Sequence, residues 1–280
     1  GLPLAKSFSK HFHTIGYDIN HNLIDNLKSK ESKSLSFSKK SSDLIDSNIY
    51  IVAVPTPVNK DNIPDLRFLE SSTTLISNYI NHNDIVIYES TVYPGVTEEF
   101  CIPIIENITN LKLNIDFFCG YSPERISPGD NTKSVEDIVK VTSGSNKETA
   151  DKIDNIYKKI IKAGTYKASS IKVAEASKVI ENVQRDVNIA LMNEFAMIFD
   201  KLNLSTKDVL GAAKTKWNFL DFKPGLVGGH CIGVDPYYLI HKSKKSGFIP
   251  NLMNTSRETN NYIPEFISKK LNSIFEQNEK

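Results

Sequence analysis

The chain has 280 residues, which is enough for one large domain or two of ordinary size. Its 34 Lys and Arg residues nearly balance its 33 Asp and Glu residues, so the net charge of +1 gives no reason to expect a nucleic acid or an anionic membrane as partner. Hydrophobic residues make up 40%, as in soluble globular proteins, and no apolar run approaches the roughly 20 residues of a membrane span.

In the first 165 residues, helical patterns alternate with apolar runs typical of buried strands. Helical periodicity occurs in residues 3–12, 21–30, 66–80 and 96–108. The stretch 29–46 is rich in Ser and Lys and is predicted to be a polar link. The strand candidates are residues 14–18, 48–57, 84–91, 117–126 and 138–144. Continuous Val- and Ile-rich strands separated by helices predict a parallel sheet covered on both faces.

Ligands of such sheets bind beyond the carboxyl ends of the strands. The residues there are Asp18, "PTP" (55–57), "STVYPG" (90–95) and "YSPERI" (121–126). An acidic residue that ends the second strand of a dinucleotide-binding fold holds the adenosine ribose hydroxyls, which is the role expected of Asp18. The usual G-x-G-x-x-G is absent. If Gly1 is its last glycine, the first strand lies upstream of residue 1.

After about residue 165 the pattern becomes helical. Residues 169–205 contain no Pro or Gly and predict one long helix, with Ser169 or Ser170 as its N-cap. Further helical runs cover 205–215, 235–247 and 254–271. We therefore expect an α/β fold. A Rossmann-type parallel-sheet domain occupies residues 1–165, an α-helical central domain with one long helix residues 166–268, and the start of a linker residues 269–280.

A polar stripe runs along the predicted long helix. Lys178, Asn182 and Arg185 fall at i, i+4 and i+7, which places them on one face. A solvated face is the simplest explanation, but most of the helix circumference is apolar, as in a buried helix. Buried cations need an anionic partner, and a ligand with phosphates and hydroxyls is one candidate.

The stretch "GLVGGHCIGVDPYYL" (225–239) places a thiol behind a glycine-rich loop. Such a loop lets backbone N–H groups approach a ligand closely, so Cys231 would lie at the edge of a bound molecule. The alternative is a tight turn with a buried, inert cysteine. His230 has no second ligand at metal spacing, so we expect it to be structural and expect no metal site.

The three cysteines are widely spaced and form no C-x-x-C pair, which argues against a disulfide framework and favours a cytoplasmic protein. Cys101 and Cys119 are expected in the core. The chain begins without Met or a signal-peptide pattern, and its polar last residues stop where a helix would be running. We therefore expect a fragment of a longer protein.

Five motifs together carry a resemblance to a known family. They are "VPTPV", "ESTVYPGVTEE", "GYSPERISPGD", "KVIENVQRDVNIALMNE" and "KPGLVGGHCIGVDPYYL". In this order they resemble the UDP-glucose/GDP-mannose dehydrogenases, most closely the branch acting on UDP-N-acetylhexosamines, over nearly the whole chain. The resemblance implies a first strand and a third, UDP-binding domain that are lacking here, and a shorter link between Leu27 and Leu35.

The resemblance also implies a reaction. A C6 alcohol of a UDP-sugar becomes a carboxylate in a four-electron oxidation that uses two NAD+, for surface polysaccharide biosynthesis. Cys231 matches the family's nucleophile, which forms a thiohemiacetal and then a thioester that water hydrolyses. Since the thiolate is the reactive form, a cation such as Lys178 would favour it. No nucleic acid or membrane is expected as partner.

The remaining roles are also carried by the resemblance. Lys178 and Asn182 match the oxyanion-stabilising pair, Asp235 a carboxylate that assists Cys231, Glu124 an acid/base for thioester hydrolysis and Thr91 a hydroxyl that holds water. Substrate contacts match Glu124, Arg125, Ile126, Lys178, Asn182, Arg185 and Gly228. NAD contacts match Gly1, Asp18, Thr56 and Thr91.

Other interpretations stay open. The substrate could be UDP-glucose. A two-electron dehydrogenase of the hydroxyacid or 6-phosphogluconate type shares a dinucleotide domain and a Lys-x-x-x-Asn pair but needs no thiol. The chain could also be an inactive fragment that serves as a dimerisation or regulatory module. The long helix is expected to mediate a homodimer, because its apolar circumference exceeds what one small helical domain can cover.

Overall fold

The computed structural model describes residues 1–126, 132, 134–229 and 231–278. The chain divides into two compact units. The first, which we call the sheet unit, consists of Gly1–Pro57 and Asp65–Lys178. The second, the helical unit, consists of Val58–Pro64 and Val179–Lys280. Within the described residues, no helix combines the length and the apolar character needed to cross a membrane.

The sheet unit contains seven strands among its described residues. A two-stranded parallel sheet pairs β1 (Thr14–Tyr17) with β2 (Leu35–Ser38). A second sheet has the order β3-β4-β5-β6-β7. Its strands are β3 (Ile49–Val52), β4 (Ile85–Tyr88), β5 (Phe118–Tyr121), β6 (Lys140–Gly144) and β7 (Thr165–Lys167).

Five helices accompany these strands, and β4 lies at the centre of the packing. They are α1 (Leu2–Phe8), α2 (His21–Leu27), α3 (Arg67–Ser77), α4 (Ile102–Thr109) and α5 (Lys147–Lys158). A π turn, Thr97–Cys101, precedes α4. All four residues of β4 are buried, as expected for a strand with neighbours on both sides and helices on both faces. Cys101 and Cys119 are fully buried, which confirms that they belong to the core.

The predicted parallel sheet is confirmed with one exception. β3, β4 and β5 are parallel, and so are β6 and β7, but β5 and β6 are antiparallel. Parallel neighbours are usually joined through a helix. In the described part of the β5–β6 connection, we find only a short 3-10 turn, Val135–Asp137, and no α-helix.

The polar link predicted for residues 29–46 is wrong in its central part, which forms β2. Leu35 and Phe37 are buried while Ser36 and Ser38 are half-buried, so the strand alternates over four residues only. Serines and lysines on both sides concealed so short an alternation. Two further elements, α5 and β7, were not predicted. Gly144 lies where β6 meets α5, and a Cβ there would lie 2.3 Å from the amide nitrogen of Ala150.

The long helix is confirmed as α6, Ile171–Lys201. Ser170 is its N-cap, because the Val173 amide donates to Ser170 Oγ at 3.2 Å. α6 begins in the sheet unit and continues into the helical unit, and the division falls between Lys178 and Val179. The helical unit adds α7 (Thr206–Ala213), α8 (Asp235–Lys245) and α9 (Asn251–Asn278), so residues 269–278 continue a helix.

Candidate active site

Asp18 follows directly on β1, at the carboxyl end of the β1–β2 pair. Its Oδ1 accepts a hydrogen bond from the Asn20 amide at 2.8 Å, and the side chain is half-buried. Gly1 lies at the N-cap position of α1, the helix that leads into β1. A partly exposed carboxylate at this edge is the group that a dinucleotide fold offers to ribose hydroxyls. The sheet unit therefore has an acceptor that fits the adenosine half of NAD.

Thr56 and Thr91 are brought together by the parallel pairing of β3 and β4. The Thr56 hydroxyl donates to the carbonyl oxygen of Thr91 at 2.6 Å. A second bond, from Ser90 Oγ to the Val54 carbonyl at 2.7 Å, joins the same two segments. The segments that follow two adjacent strands are thus fixed to each other at the carboxyl edge of the sheet, where ligands of this fold class bind.

Glu175 holds the "STVYPG" segment and was missed in the sequence. It is fully buried on α6, and its two carboxylate oxygens accept from the amides of Gly95 at 2.5 Å and Thr97 at 2.9 Å. These amides lie at the start of the turn leading into α4, where an anion is favoured. Burial raises the pKa of Glu175, and the two amide bonds oppose that rise. Its position three residues before Lys178, on a predicted buried helix, was the available signal.

The "SPERI" segment folds back on itself. Glu124 Oε1 accepts from the amides of Arg125 at 2.7 Å and Ile126 at 2.8 Å. The guanidinium of Arg125 donates to the Val139 carbonyl oxygen at 2.8 Å. The side chains of Glu124, Arg125 and Ile126 are half-buried, whereas Ser122 and Pro123 are buried. The last four residues of the longer motif "GYSPERISPGD", residues 127–130, lie outside the described residues.

In the helical unit, the predicted polar residues of α6 meet the loop that carries the thiol. Asn182 donates from Nδ2 to Asp235 Oδ2, and Arg185 donates to Asn182 Oδ1. Asn182 and Asp235 are buried, whereas Arg185 is half-buried. Asp235 opens α8, and its amide donates to the Cys231 carbonyl oxygen at 2.9 Å. The backbone of Cys231 is therefore fixed to the residue that Asn182 holds.

Lys178 is also buried, with 8% of its surface exposed. Burial of both Lys178 and Asn182 contradicts the solvated-face interpretation of this stripe. A buried ammonium group is costly without an anionic or strongly polar neighbour, and a bound ligand is one group that would supply it to Lys178.

Residues 225–235, which we call the thiol loop, contain the glycines and Cys231, and three of the glycines have open space beside them. A Cβ on Gly225, Gly228 or Gly229 would meet no heavy atom within 4 Å. Gly229 has φ +80, a conformation that side-chain-bearing residues rarely adopt. Cys231 is half-buried and carries a free thiol. Internal packing therefore does not explain the glycines at 225 and 228. The prediction for His230 falls outside the described residues.

Two further polar residues extend the stripe on α6 and were also missed. Asp186 and Asn193 are each 1% exposed, as is Asn182. Their spacing from Asn182, four and eleven residues, keeps them on one side of the helix. Asp186 pairs with the buried guanidinium of Arg257 at 2.5 Å. Burial raises the pKa of Asp186, and Arg257 opposes that rise.

A cavity of about 350 Å³ also lies in the helical unit. It holds none of the predicted site residues, and its lining combines cationic and anionic side chains without an excess of either. The lining residues are Asp61, Asn62, Ile63, Tyr237, Ile240, His241, Lys244, Asn254, Arg257, Glu258 and Asn261. In the part of the chain that the structure describes, no three His, Cys, Asp or Glu residues cluster as metal ligands would.

The fold and these side chains define a dinucleotide-dependent dehydrogenase whose helical unit carries a thiol loop. Residues 19–161 match the NAD binding domain of the UDP-glucose/GDP-mannose dehydrogenase family, and residues 172–262 match its central domain. The chain belongs to this family.

Named relatives agree with this assignment. UDP-N-acetyl-D-glucosamine 6-dehydrogenase of Pseudomonas aeruginosa is 50% identical over 97% of this chain and 67% of its own length. Protein CapL of Staphylococcus aureus is 48% identical over 96% of this chain and 66% of its own. The chain thus spans about two thirds of the length of these relatives. The structure of UDP-D-ManNAc dehydrogenase from Pyrococcus horikoshii superposes with a TM-score of 0.92 at 29% identity, covering 100% of this chain and 70% of that one.

Proposed function

We propose that the protein oxidises the C6 hydroxyl of a UDP-N-acetylhexosamine to a carboxylate, in two NAD-dependent steps, through a covalent bond to Cys231. The observation that carries the proposal is the buried Asn182–Asp235 pair, which fixes the backbone on which the Cys231 thiol is mounted. The relative from Pseudomonas aeruginosa, with half of its aligned residues identical, is named for UDP-N-acetyl-D-glucosamine.

NAD fits the sheet unit through residues at the carboxyl edge of its strands. Asp18 would hold the adenosine ribose, Gly1 would lie by the pyrophosphate, and Thr56 and Thr91 would face the nicotinamide half. The hydrogen bond from Thr56 to the Thr91 backbone supports this assignment, because it sets the spacing of the two segments. When bound, NAD+ accepts the hydride in each of the two oxidations.

In the first oxidation, the substrate alcohol loses a proton and a hydride to become an aldehyde. Lys178 would take part in moving the proton, and Asn182 would donate a hydrogen bond to the substrate oxygen as negative charge develops there. The Asn182 amide already has one partner, since its Nδ2 bonds Asp235. That bond leaves the second N–H of the same group for the substrate.

In the second stage, the Cys231 thiolate adds to the aldehyde carbon, and the oxygen takes up a proton to give a thiohemiacetal. Loss of a hydride from carbon and of the hydroxyl proton gives a thioester. Water then adds to the thioester, and the thiol leaves as the carboxylate forms. Glu124 would act as acid and base in this hydrolysis, Asp235 would assist the thiol, and Thr91 would hold the water.

Residues beside these groups would recognise the substrate. Arg185 would pair with the diphosphate, while Arg125, Ile126 and Gly228 would contact the nucleotide sugar. The open space beside Gly228 supports its part in this role, since a backbone without a side chain admits a ligand. We also propose that residues 1–165 form the NAD-binding domain and residues 166–268 the central domain, and that a linker starts at 269–280.

The decisive experiment is an NADH-release screen of the full-length protein against UDP-glucose, UDP-GlcNAc, UDP-GalNAc, UDP-ManNAc and GDP-mannose. We expect UDP-GlcNAc or another UDP-N-acetylhexosamine to give the highest kcat/KM, with two NADH released per sugar. One NADH per sugar would favour the two-electron class of dehydrogenase. A preference for UDP-glucose would move the protein to that branch of the family, and no release from any of these sugars would contradict the proposed function.

We also propose that the protein is cytoplasmic and acts in surface polysaccharide synthesis. It would form a homodimer through α6. Three apolar residues of α6, Ile180, Leu191 and Ile198, are 53%, 44% and 43% exposed. Their spacings of eleven and seven residues place them along one stripe of the helix. A second copy of this stripe is the partner that would cover it.

A further inference from the structure

Two asparagine side chains of α6 hold the thiol loop, one near each end of the loop. Near its carboxyl end, Asn182 bonds the side chain of Asp235. At its amino end, Asn193 bonds the backbone of Gly225 in both directions: the Gly225 amide donates to Asn193 Oδ1 at 2.8 Å, and Asn193 Nδ2 donates to the Gly225 carbonyl oxygen at 3.0 Å. Both asparagines are 1% exposed.

The two attachment points determine how much freedom the loop has. They are eleven residues apart on α6, which corresponds to about 16 Å along the helix axis and about 20° of rotation. Ten residues of extended chain, from Gly225 to Asp235, could span roughly 33 Å. The chain between the two attachment points is therefore longer than their separation along α6 requires. Besides the two asparagines, the loop is held by the amides of Val234 and Asp235, which donate to the Cys231 carbonyl oxygen.

Asn193 is itself held in one orientation by a buried polar network. Its Nδ2 also donates to Asn260 Oδ1 at 2.8 Å. Asn260 in turn donates to Asp186 Oδ1 at 2.7 Å and to its carbonyl oxygen at 3.0 Å. Arg257 donates to the same carboxylate at 2.5 Å. Because both N–H groups and the oxygen of Asn193 have partners, the amide cannot turn over without breaking several bonds.

We propose that Asn193 is a positioning residue for Cys231: it fixes the amino end of the thiol loop, and the Asn260–Asp186–Arg257 network fixes Asn193. This inference rests on the proposed function for its catalytic meaning. Neither Asn193 nor Asn260 touches the thiol, so each acts through the loop. A purely structural role would lower thermal stability but would leave the mobility of the loop and the reactivity of the thiol unchanged.

The test compares three variants in the full-length protein. Asn193→Ala removes both bonds to Gly225. Asn260→Ala leaves those bonds possible but frees the Asn193 amide, and it decides the question if Asn193→Ala does not fold. Asn188→Ala is the matched control, because Asn188 is an asparagine of the same helix whose side chain donates to the Gln184 carbonyl oxygen and bonds no other residue that the structure describes.

Two readouts do not depend on turnover. Hydrogen exchange at the Gly225 amide should be at least tenfold faster in Asn193→Ala, with a smaller increase in Asn260→Ala and none in Asn188→Ala. Alkylation of Cys231 by iodoacetamide should rise at least threefold in Asn193→Ala, since a loosened loop exposes a half-buried thiol. Cys101 and Cys119 are fully buried, and burial raises the pKa of the Cys101 thiol to about 12, so neither competes for the label, and peptide mapping assigns the label to Cys231.

The third readout is kinetic. The kcat of Asn193→Ala should fall about tenfold at a temperature at which all variants are folded, with a smaller change in KM. Wild-type rates of exchange, alkylation and turnover in both Asn193→Ala and Asn260→Ala would overturn the positioning role. If the wild-type protein oxidises no nucleotide sugar, the proposed function fails, while exchange and alkylation still decide whether Asn193 holds the loop.

Discussion

Asn182 of α6 donates a hydrogen bond to the carboxylate of Asp235, the first residue of α8 and the fourth after Cys231. Both side chains are buried, so removing either one takes a hydrogen-bond partner away from the other inside the protein. The bond joins the polar stripe of the long helix to the thiol loop. It also restricts the Asn182 amide to one orientation, with its oxygen toward Arg185.

Exchanging the two residues tests the stability contributed by the Asn182–Asp235 hydrogen bond apart from the proposed catalytic role of Asn182. Asn182→Asp places two carboxylates against each other, and we expect the free energy of unfolding to fall by about 2–3 kcal/mol. The double variant Asn182→Asp/Asp235→Asn restores one donor and one acceptor, so most of that loss should be recovered, as measured by urea denaturation. Activity should stay low in the double variant, because the oxyanion donor has become a carboxylate. Additive losses in the cycle would show that the pair does not act as a unit.

Cys231→Ser should abolish uronate formation. A serine hydroxyl at neutral pH adds far less readily to an aldehyde than a thiolate does, so the covalent route stops. We expect a decrease in uronate of at least 100-fold, measured by product analysis beside NADH release. Cys119→Ala is the control, because it removes a thiol that lies fully buried in the core. Wild-type uronate yield from Cys231→Ser would rule out the covalent mechanism.

Much of the fold follows from local pattern. β4 is an unbroken apolar run, and α6 has an N-cap serine and more than thirty residues without Pro or Gly, so both stand out in the sequence. β2 does not, because only Leu35 and Phe37 mark it within a polar stretch. The reversed direction of β6 is set by pairing between distant residues, Gly120 with Gly144 and Tyr121 with Ser143, on which periodicity carries no information.

The residues of the candidate site could also be predicted from the sequence only in part. Lys178, Asn182 and Arg185 are visible because they share a helix face, and the motifs around Thr91 and Cys231 mark their segments. Glu175 lies on the same helix outside the five motifs, and Asn193 lies inside one of them, but no pattern assigns either residue a role. Each acts on the backbone of a residue far away in sequence, Gly95 at 80 positions and Gly225 at 32. Only the tertiary structure brings those backbone groups to them.

The proposed dimer can be tested at the centre of its apolar stripe. Leu191→Glu adds a charge where two copies of α6 would meet, and desolvating that charge should disrupt the pair. We expect a dimer for the wild-type protein and a monomer for the variant in sedimentation experiments at micromolar concentration. Ile115→Glu is the control, since Ile115 is 74% exposed on a loop of the sheet unit. A wild-type monomer under these conditions would remove the dimer proposal.

Stability in acid should depend on Glu136, which links the sheet unit's first helix to the region before β6. Its carboxylate lies between the ammonium groups of Lys10 and Lys162 and accepts from Ser7 Oγ. The Lys10 hydrogen bond, followed by that of Lys162, lowers the pKa of Glu136 to about 2. A carboxyl with a depressed folded-state pKa stabilises the protein above its unfolded value, about 4.5. That contribution is lost as the pH falls from about 4.5 towards 2.

Glu136→Gln should therefore lower the free energy of unfolding at pH 7 by about 1 kcal/mol, a value reduced for the solvent that screens the two exposed lysines. The difference from wild type should shrink as the pH falls through this window, measured by urea denaturation at pH 7, 4 and 3. Glu148→Gln is the matched control, because Glu148 pairs with Lys152 on the exposed face of α5. A difference between Glu136→Gln and wild type that persists unchanged at pH 3 would mean that the carboxylate charge is not its source.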